Sequence, residues 1–545
     1  MKFSLRWIVA PFCLVLGSLS AAQANAVPGL DVRLTAMREL AVFGRLGSFP
    51  DGLNGIAIET TICNEGTVEV PWFEAMNAHH PFIAFLIAGV RDGRLVQLSN
   101  RSYIKHGFFA LNGRNCGVPC NPPSTGNIGE HLGIGCSDTY ATSNNGDSFY
   151  LGPPEELDPW MGVWQRRCSL FDRGFPDVGS PDDCDGRRSL THQAAAALGP
   201  VETRVQVSDA ELLAGGKLCF QSQYVVEGMP ESARDNSLGS RAFSANWNGT
   251  RWVFAPTSVL LEGSILQQWP DASVSSNTDG TKDGRVYAAV KVSGPVEGFY
   301  RYEYALHNRD HARGVGTLRI PLCFGARVRA VGFRDIDQDP GNDWAVNVKK
   351  SEVEFATAGA PLEWNSVYNF WFESDAAPGQ VDLELRPSGA RLDEIGFFVP
   401  SQAPTALYNV YLGPGCALGT PPTLYPIGTP ARAQLGNQTF GLASSGNQPL
   451  APNFLVLGTK SGTRDFLGCT LWTGAGLTKL VSVVLCDANG VATHPGPIPN
   501  NVALEGRVIR FQAVGLDRGN GRLFSDFELS DGILVRVGSA IPDCP

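Results

Sequence analysis

Short runs of alternating apolar and polar residues, separated by glycine and proline turns, recur along the whole chain and limit what it can fold into. Residues 242–247 and 250–254 form two such runs, and Asn248-Gly249 between them is a typical hairpin turn. The 62 Gly and 37 Pro residues can supply a turn after nearly every run. Helical patterns are confined to residues 190–198 and 209–213. We therefore predict an all-β protein with two larger β-sandwich or jelly-roll-like domains followed by a small C-terminal β-sandwich.

The N-terminus has the parts of an export signal. Lys2 and Arg6 precede an apolar stretch at 7–16, and Ala24-Asn25-Ala26 fits the small-residue rule for cleavage, so residues 1–26 are predicted to be a signal peptide. No later stretch approaches the roughly 18 apolar residues of a membrane helix. The sequence thus predicts a secreted or extracellular protein without a membrane span, either released or associated with the cell surface.

Twelve of the 13 cysteines follow the predicted signal peptide. Their even number in an exported chain predicts six disulfides and no free thiol. Seven lie between Cys63 and Cys219, Cys323 stands alone, and four lie near the C-terminus. If every thiol is paired, one bridge must reach Cys323, while the last four can form two bridges among themselves. The short spacing Cys116-x3-Cys120 is by itself a weak basis for a metal ribbon.

Two proline-containing stretches divide the chain. Residues 254–257 and the polar stretch 400–404 are predicted as boundaries. They give a first segment (27–256) and a second segment (257–402), both β-sandwiches, and a C-terminal β-sandwich module (403–545).

Charge and missing motifs narrow the function classes. The net charge of -10 becomes -12 once Lys2 and Arg6 are removed, and nucleic-acid binding requires clustered Lys and Arg instead. No glycine-rich phosphate loop is present, so no nucleotide cofactor is predicted. Gly-x-Ser-x-Gly and His-Glu-x-x-His are also absent from the sequence. Glu155-Glu156 and scattered Asp residues leave a glycan-active hydrolase open.

A predicted hairpin in the first segment brings histidines together. Residues 82–90 and 95–104 are strand-like, and the turn Asp92-Gly93 sets paired residue numbers to sum to 185. His79 then lies opposite His106, with Cβ atoms about 5 Å apart. We expect this pair to share one metal ion or one proton. In a regular strand His80 points to the other face.

Five histidines are candidate metal ligands: His79, His80, His106, His307 and His311. Imidazoles on adjacent strands suit copper or zinc, and the alternative is a set of hydrogen-bonded structural histidines. Two β-sandwiches with histidine clusters are loosely similar to peptidylglycine α-hydroxylating monooxygenase. This chain has no His-x-His motif and no Met in the second segment, so the second copper site of that enzyme is not transferred.

Four carboxylates alternate as they do in calcium loops: Asp335, Asp337, Asp339 and Asp343. The pattern departs from the EF-hand, because Gly341 comes one residue late and Val346 stands where the bidentate Glu should be. The open alternatives are a calcium loop and a solvated acidic turn.

Several stretches resemble a group of large exported proteins of environmental bacteria that have no assigned activity: 105–108, 135–138, 305–308 and 363–370. More specifically, the end of the chain resembles a C-terminal module that closes many unrelated exported proteins. The matching stretches are 414–416, 435–440, 468–470, 487–490 and 498–500. That resemblance implies a β-sandwich for display or attachment and a Cys416–Cys469 bridge. Cys486 and Cys544 are additions to the pattern and would pair with each other.

These observations lead to three function hypotheses. The first is a secreted binding or structural protein, with or without bound metal, that attaches to an extracellular polymer, a surface or a protein partner. The second is an exported copper-dependent oxidase or monooxygenase that uses the histidines. The third is a glycan-active hydrolase. We favour the first, because the sequence contains an arguable metal site and no arguable catalytic set, so whether the protein is an enzyme stays open.

Overall fold

The structure, a computed structural model, describes residues 26–538 except for positions 75, 124–128, 173–183, 281, 297–298, 324–325, 338, 358, 392–393, 395, 407–408, 429–432, 461, 475 and 477. The predicted signal peptide, apart from Ala26, lies outside the described residues, as does Cys544. No helix in the described part of the chain is long and apolar enough to cross a membrane.

Strands dominate the described residues, which confirms the predicted all-β fold. The strands up to residue 262 are β1 (Val32–Ala36), β2 (Leu40–Leu46), β3 (Leu53–Ile58), β4 (Thr60–Asn64), β5 (Val70–Pro71), β6 (Phe82–Arg91), β7 (Arg94–Gln97), β8 (Ile104–His106), β9 (His131–Leu132), β10 (Ser137–Tyr140), β11 (Leu151–Gly152), β12 (Leu157–Asp158), β13 (Val163–Trp164), β14 (Val205–Ser208), β15 (Leu218–Val225), β16 (Leu238–Trp247), β17 (Trp252–Pro256) and β18 (Leu261–Glu262).

The second segment continues with strands of similar or greater length. They are β19 (Ser273–Asp279), β20 (Asp283–Val296), β21 (Phe299–Asn308), β22 (Val315–Pro321), β23 (Val328–Arg334), β24 (Ala345–Val348), β25 (Glu352–Ala356), β26 (Ser366–Ser374), β27 (Ala377–Pro387) and β28 (Phe397–Ala406). The last strands of the described chain are β29 (Asn409–Gly413), β30 (Thr423–Ile427), β31 (Gly441–Ser445), β32 (Pro452–Gly458), β33 (Arg464–Phe466), β34 (Cys469–Leu471), β35 (Lys479–Leu485), β36 (Ala492–Pro495), β37 (Val508–Leu516) and β38 (Phe527–Arg536).

The helices are short. They are α1 (Thr142–Asn145), α2 (His192–Ala197) and α3 (Asp209–Leu213). The last two confirm the two predicted helical stretches, and each begins after a hydroxyl that accepts from the backbone: Thr191 from Ala194 N and Ser208 from Glu211 N. Single 3₁₀ turns lie at Ser148–Tyr150, Pro154–Glu156, Leu170–Asp172, Glu231–Ala233, Ile265–Gln268 and Val502–Leu504.

Strands β1–β28, which we call the base, stack mainly as four β layers. The first layer holds the sheets β1-β4-β10 and β14-β3-β2, and the second is β11-β8-β6-β15-β16-β17. The third is β19-β20-β21-β26-β23 and the fourth is β24-β25-β22-β27-β28. An apolar core lies between each layer and the next. The two inner layers are therefore covered on both faces, and all eight residues of β15 are buried.

Strand β21 illustrates how alternation serves two cores. Tyr302, Tyr304 and Leu306 point into the core shared with the fourth layer, as the sequence predicted for one face. Ala305, on the opposite face, belongs to the core shared with the second layer. A strand that is buried on both faces joins the first and second segments into one packed unit.

Both predicted boundaries fall inside sheets. Residues 400–404, expected to be a linker, belong to β28, in which Pro400 lies opposite Asp382 and Ala403 is fully buried. Proline is tolerated here because β28 is the edge strand of its layer and needs no ladder hydrogen bonds on its free side. The boundary at 256–257 also separates β17 from β18, although both pair with β16.

The disulfides correct the expectation that no thiol is free. Bridges join Cys63–Cys116, Cys120–Cys136, Cys168–Cys184 and Cys416–Cys469, and Cys323 is also disulfide-bonded. Cys219 and Cys486 are free and buried, so the predicted Cys486–Cys544 bridge is wrong. Cys219 packs in the core between the second and third layers, where a buried thiol acts as a small apolar side chain.

Strands β29–β38 form the C-terminal module, a β-sandwich as predicted. Its two main sheets are β29-β38-β37-β32-β35 and β30-β31-β36. Leu442, Leu455 and Ala513 are among the residues of the core between them. The module contacts the base through an ion pair between Arg536 and Asp375, at 3.2 Å.

Candidate functional site

The β6–β7 hairpin has the predicted turn, but the predicted register does not continue beyond it. Asp92-Gly93 adopts positive φ at both residues, 49° and 82°, as a type I′ turn requires. Ala88 pairs with Gln97, so paired numbers sum to 185 near the turn. Farther along, Phe82 pairs with His106, and the sum becomes 188.

The shift arises because residues 98–103 leave the ladder. The backbone N–H groups of Leu98 and Ser99 both donate to the carbonyl of Ile87, at 2.9 and 3.1 Å. The side chain of Gln97 reaches the third layer, where its Oε1 accepts from Val367 N at 2.8 Å. The predicted register therefore holds as far as Gln97 and is lost in the residues that follow it.

The sum of paired numbers changes by three, and a shift by an odd number of residues moves side chains to the opposite face of a strand. His79 is therefore not on the face where it was predicted to meet His106. The His79 side chain is 48% exposed and its Nδ1 lies 2.5 Å from Oε2 of Glu227. The predicted pairing of His79 with His106 is therefore wrong. His80 contacts His106 instead of His79, because Pro81 lies between His80 and the regular part of β6.

His80 and His106 form a buried hydrogen-bonded pair. Nε2 of His80 lies 2.8 Å from Nδ1 of His106, and each residue is 1% exposed. A metal ion between two imidazoles needs two bonds of about 2.1 Å, so these nitrogens share a proton rather than an ion in this arrangement. Burial lowers the pKa of His80 to about 3, and burial and the neighbouring His80 lower the pKa of His106. Both rings are neutral near pH 7.

The pair is enclosed by aromatic rings and by one glycine. Trp164 and Phe171 lie 4.7 Å from the His106 ring, measured between centroids. A Cβ at Gly152 would lie 2.6 Å from Nε2 of His106, so this position requires glycine. Nδ1 of His80 has no hydrogen-bond partner among the described residues.

Lys105, next to His106 on β8, is a buried charge that the sequence analysis missed. It is 1% exposed and points into the core between the first and second layers. Its Nζ lies 4.2 Å from the Tyr150 ring centroid and 5.4 Å from that of Tyr140. Burial lowers the pKa of Lys105 to about 7 and raises the pKa of nearby Asp138 to about 7. A single Lys in a strand has no sequence pattern that reveals such burial.

His307 lies in the third layer and has hydrogen-bond partners, whereas His311 lies directly after the layer and neither of its ring nitrogens has one among the described residues. Nδ1 of His307 lies 2.8 Å from Oγ of Ser264, and Nε2 lies 3.2 Å from Nε2 of Gln221. Nδ1 of His311 lies 3.4 Å from Oδ2 of Asp283. Both histidines are fully buried, and burial lowers the pKa of His307 to about 3. The contacts of His307 join the second and third layers, whereas His311 stacks on Phe397 of the fourth layer.

A buried ion network lies beside these histidines. Asp310 receives hydrogen bonds from Arg234 at 2.8 Å and from Arg309 at 3.1 Å, and all three residues are at most 5% exposed. Burial alone would raise the pKa of Asp310, but the two guanidinium groups hold it at about 2. Arg234 comes from the first segment and Asp310 from the second, so the network fixes one segment against the other.

The predicted acidic loop lines a cleft between the first and second segments. Asp335, Asp337 and Asp343 share this cleft with Arg94 and Trp371. The loop is a series of turns, in which Oδ1 of each of Asp335, Asp337 and Asp339 accepts from the backbone N–H two residues later. Burial raises the pKa of Asp335, and the charges of Asp337 and Asp343 add to the effect.

The predicted ligands do not gather in one place. Among the predicted histidine ligands, His80 and His106 form a hydrogen bond with each other, and Asp335, Asp337 and Asp343 share a cleft elsewhere. Among the residues that the structure describes, no group of three or more His, Cys, Asp or Glu side chains is arranged to hold a metal ion. The copper and calcium assignments stay predictions.

The C-terminal module has an apolar surface on β35, which is an edge strand in the described part of the chain. Strand β35 ends its sheet, and four of its seven side chains are large, apolar and at least half exposed: Leu480, Val481, Val483 and Leu485. Val483 pairs with Phe454 of β32, which pairs with Val514 of β37, so the outer face continues as an apolar row. We call these residues of β35 the apolar edge.

Comparisons with known proteins leave the family of this chain open. No family model matches, and no curated protein matches the sequence. Among solved structures, the major pilin subunit BcpA of Bacillus cereus has 10% identity and a TM-score of 0.18, covering 62% of this chain and 86% of the pilin. Alpha-2-macroglobulin of Escherichia coli, activated by porcine elastase, has 9% identity and a TM-score of 0.14, covering 95% of this chain and 35% of its own.

Salmonella alpha-2-macroglobulin reacted with methylamine has 10% identity and a TM-score of 0.16, covering 94% of this chain and 33% of its own. This chain thus spans about a third of each macroglobulin structure. All three TM-scores are too low for these likenesses to carry an argument about fold or function.

Proposed function

We propose that the protein is an exported binding protein in which the base is a rigid support and the C-terminal module holds the binding surface. The partner is an extended, apolar polypeptide segment that adds to the sheet along the apolar edge. The observation that carries this proposal is the exposure of Leu480, Val481, Val483 and Leu485 on an edge strand.

Free apolar edges are unusual, because a strand with unpaired backbone groups and apolar side chains associates with other chains. Soluble proteins protect such edges with charges, prolines or short strands. Strand β35 has seven residues, no proline and one charge, Lys479 at its start. Such an edge suits β-strand addition, in which backbone hydrogen bonds supply affinity and alternate side chains supply specificity.

The rest of the molecule supports a rigid extracellular scaffold. The bridges Cys63–Cys116, Cys120–Cys136, Cys168–Cys184 and Cys416–Cys469 fit an oxidising compartment, in agreement with the export signal. The buried histidines His80, His106 and His307 form hydrogen bonds with other protein side chains. The resemblance of the end of the chain to modules used for attachment agrees with a contact surface in β29–β38.

The test is selection of linear peptides from a displayed library on the immobilised mature protein, followed by fluorescence anisotropy. We expect enriched peptides with alternating apolar residues and a Kd that rises at least tenfold when Val481→Lys and Val483→Lys are combined. The matched control combines Val346→Lys and Val348→Lys on β24, which is also an edge strand with half-exposed valines. This control should bind like the unaltered protein.

Strand addition is separated from simple stickiness by N-methylation of alternate peptide residues, which blocks ladder hydrogen bonds and leaves the apolar side chains in place. Methylation on the bonded side should abolish binding. The proposal fails if no peptide is enriched, if both pairs of substitutions weaken binding equally, or if methylated peptides bind as well as unmodified ones.

A further inference from the structure

We propose that the loop between Phe333 and Trp344 binds one calcium ion through side-chain oxygens of Asp335, Asp337, Asn342 and Asp343. This inference is independent of the apolar edge, since the loop belongs to the base. It rests on how the loop is held and on two buried oxygens that lack partners.

The two ends of the loop are fixed. The Phe333 and Trp344 rings stack with centroids 5.7 Å apart, and Nε1 of Trp344 donates to the carbonyl of Ala360 at 2.7 Å. Trp344 is 3% exposed and belongs to the core between the third and fourth layers. A loop with fixed ends loses little entropy when a ligand orders it, which favours binding.

Two oxygens of the loop are buried without a hydrogen-bond partner in the described structure. They are Oδ2 of Asp335, a residue only 4% exposed, and Oδ1 of Asn342. Buried acceptors normally have a partner, and one left without it destabilises the fold. Carboxylate and amide oxygens are the ligands that calcium prefers, so a hard cation would satisfy both.

The other proposed ligands belong to the same loop as Asp335. Oδ2 of Asp337 accepts from Nδ2 of Asn342 at 3.0 Å, which holds the two side chains together, and Asp343 lines the same cleft. Because no group of three acidic side chains among the described residues is arranged to hold a metal ion, Asp337 and Asp343 must move toward Asp335 on binding. Calcium tolerates such flexible geometry, whereas magnesium requires a near-ideal octahedron.

Two cations line the cleft, and each already has an acidic partner. Arg94 donates to Glu303 at 2.8 Å, and Arg334 lies 3.6 Å from Glu211. Because these partners partly neutralise the two arginines, the carboxylates of the loop leave the cleft with an excess of negative charge. Extracellular calcium sites of few ligands have Kd values of about 10⁻⁴–10⁻³ M, and we expect this range.

The experiment titrates the chelator-treated mature protein with CaCl2 in a calorimeter and, separately, with Tb³⁺ while tryptophan is excited. Trp344 and Trp371 adjoin the loop, so bound Tb³⁺ should luminesce, and calcium should displace it. Asp335→Asn and Asp343→Asn should each weaken calcium binding at least tenfold. Asp382→Asn, an exposed substitution on β27, is the matched control and should bind normally.

Folding is checked by circular dichroism and by the melting temperature in chelator, which should match across the variants because Asn has the shape of Asp. If the Asp335→Asn variant does not fold, the calcium affinity of the Asp343→Asn variant decides the outcome. The proposal is overturned if the unaltered protein binds no calcium up to about 5 mM, roughly five times the upper limit of the expected Kd. It is also overturned if the loop variants bind like the control, or if magnesium binds equally well.

Discussion

The base and the C-terminal module place polar and apolar groups in opposite ways. In the base, charged side chains such as Arg309 and Asp310 are buried between segments, and uncharged ones such as His307 join the inner layers. In the module, apolar side chains such as Val483 and Leu485 are exposed on a free edge. Buried polar contacts have direction and fix two sheets in one arrangement, whereas an exposed apolar strand remains available to a partner. The contrast suggests that the base is the rigid region and the module the binding region.

The strongest test of this contrast is truncation. A chain of residues 27–406, which keeps β28, should retain a cooperative thermal transition. A chain of residues 27–396 should lose it, because removal of β28 exposes the core around Val399 and uncovers β27. Both chains carry Cys323→Ser, since Cys323 is disulfide-bonded. Differential scanning calorimetry checks the outcome, and loss of the transition in both chains would show that the base depends on the module.

The next effect concerns the buried ion network. Asp310→Asn leaves Arg234 and Arg309 buried beside a neutral side chain, so we expect the free energy of unfolding of the base to fall by about 3–5 kcal/mol. The transition of the module should not move. Denaturant unfolding measures the change, with Asp382→Asn as the exposed control. A loss below 1 kcal/mol would mean that the network does not hold the segments together.

Acid should weaken the base more than the module. The folded pKa is about 3 for His80 and His307 and about 4 for His494 of the module, all lowered by burial from 6.5. The unfolded chain therefore binds more protons below pH 6.5, and stability falls as the pH drops from 6.5 toward these values.

Each such histidine contributes at most about 1.4 kcal/mol per pH unit. Urea unfolding at pH 7, 6 and 5 measures how steeply the free energy of unfolding falls with decreasing pH. The His307→Gln substitution should reduce this slope for the base. Equal slopes in base and module would contradict the prediction.

The smallest effect concerns Lys105. Lys105→Met should stabilise the base by about 1–4 kcal/mol at pH 6, where the buried amine is charged and Asp138 is protonated. The gain should shrink as the pH rises from 7 toward 10.5, because the folded amine has by then lost its proton and the unfolded one still holds it. Urea unfolding of the unaltered protein and of the variant, at pH 6 and at pH 9, measures the change in this gain. A destabilised variant at pH 6 would mean that the contacts with Tyr150 and Tyr140 outweigh burial of the charge.

Local features could be predicted from the sequence, and contacts between layers could not. The turn at Asp92-Gly93, helix α3 and the alternating face of β21 all depend on neighbouring residues, and the structure confirms them. The predicted pairing of His79 with His106 is wrong because residues 98–103 leave the ladder, directly after Gln97 contacts a backbone group in the third layer. Such a contact has no signature in the hairpin itself.

The linker and the thiols failed for related reasons. Residues 400–404 are polar and rich in proline, but an edge strand accepts both properties. Cys219 was expected to be oxidised because the number of cysteines is even, yet it sits on β15 within an apolar core. An even number of cysteines means that all of them could be paired, but it does not show that each thiol has another thiol within bonding distance.

The two inner layers have a consequence for how the chain folds. The centre of the second layer pairs β6 with β15, with Phe85 opposite Ser222, so most of the first segment must be synthesised before this pair can close. The other face of the layer stays uncovered until β20, β21 and β26 arrive. Such distant pairings are slow to form, and the exposed intermediate tends to aggregate. Refolding yield should therefore decrease as protein concentration rises.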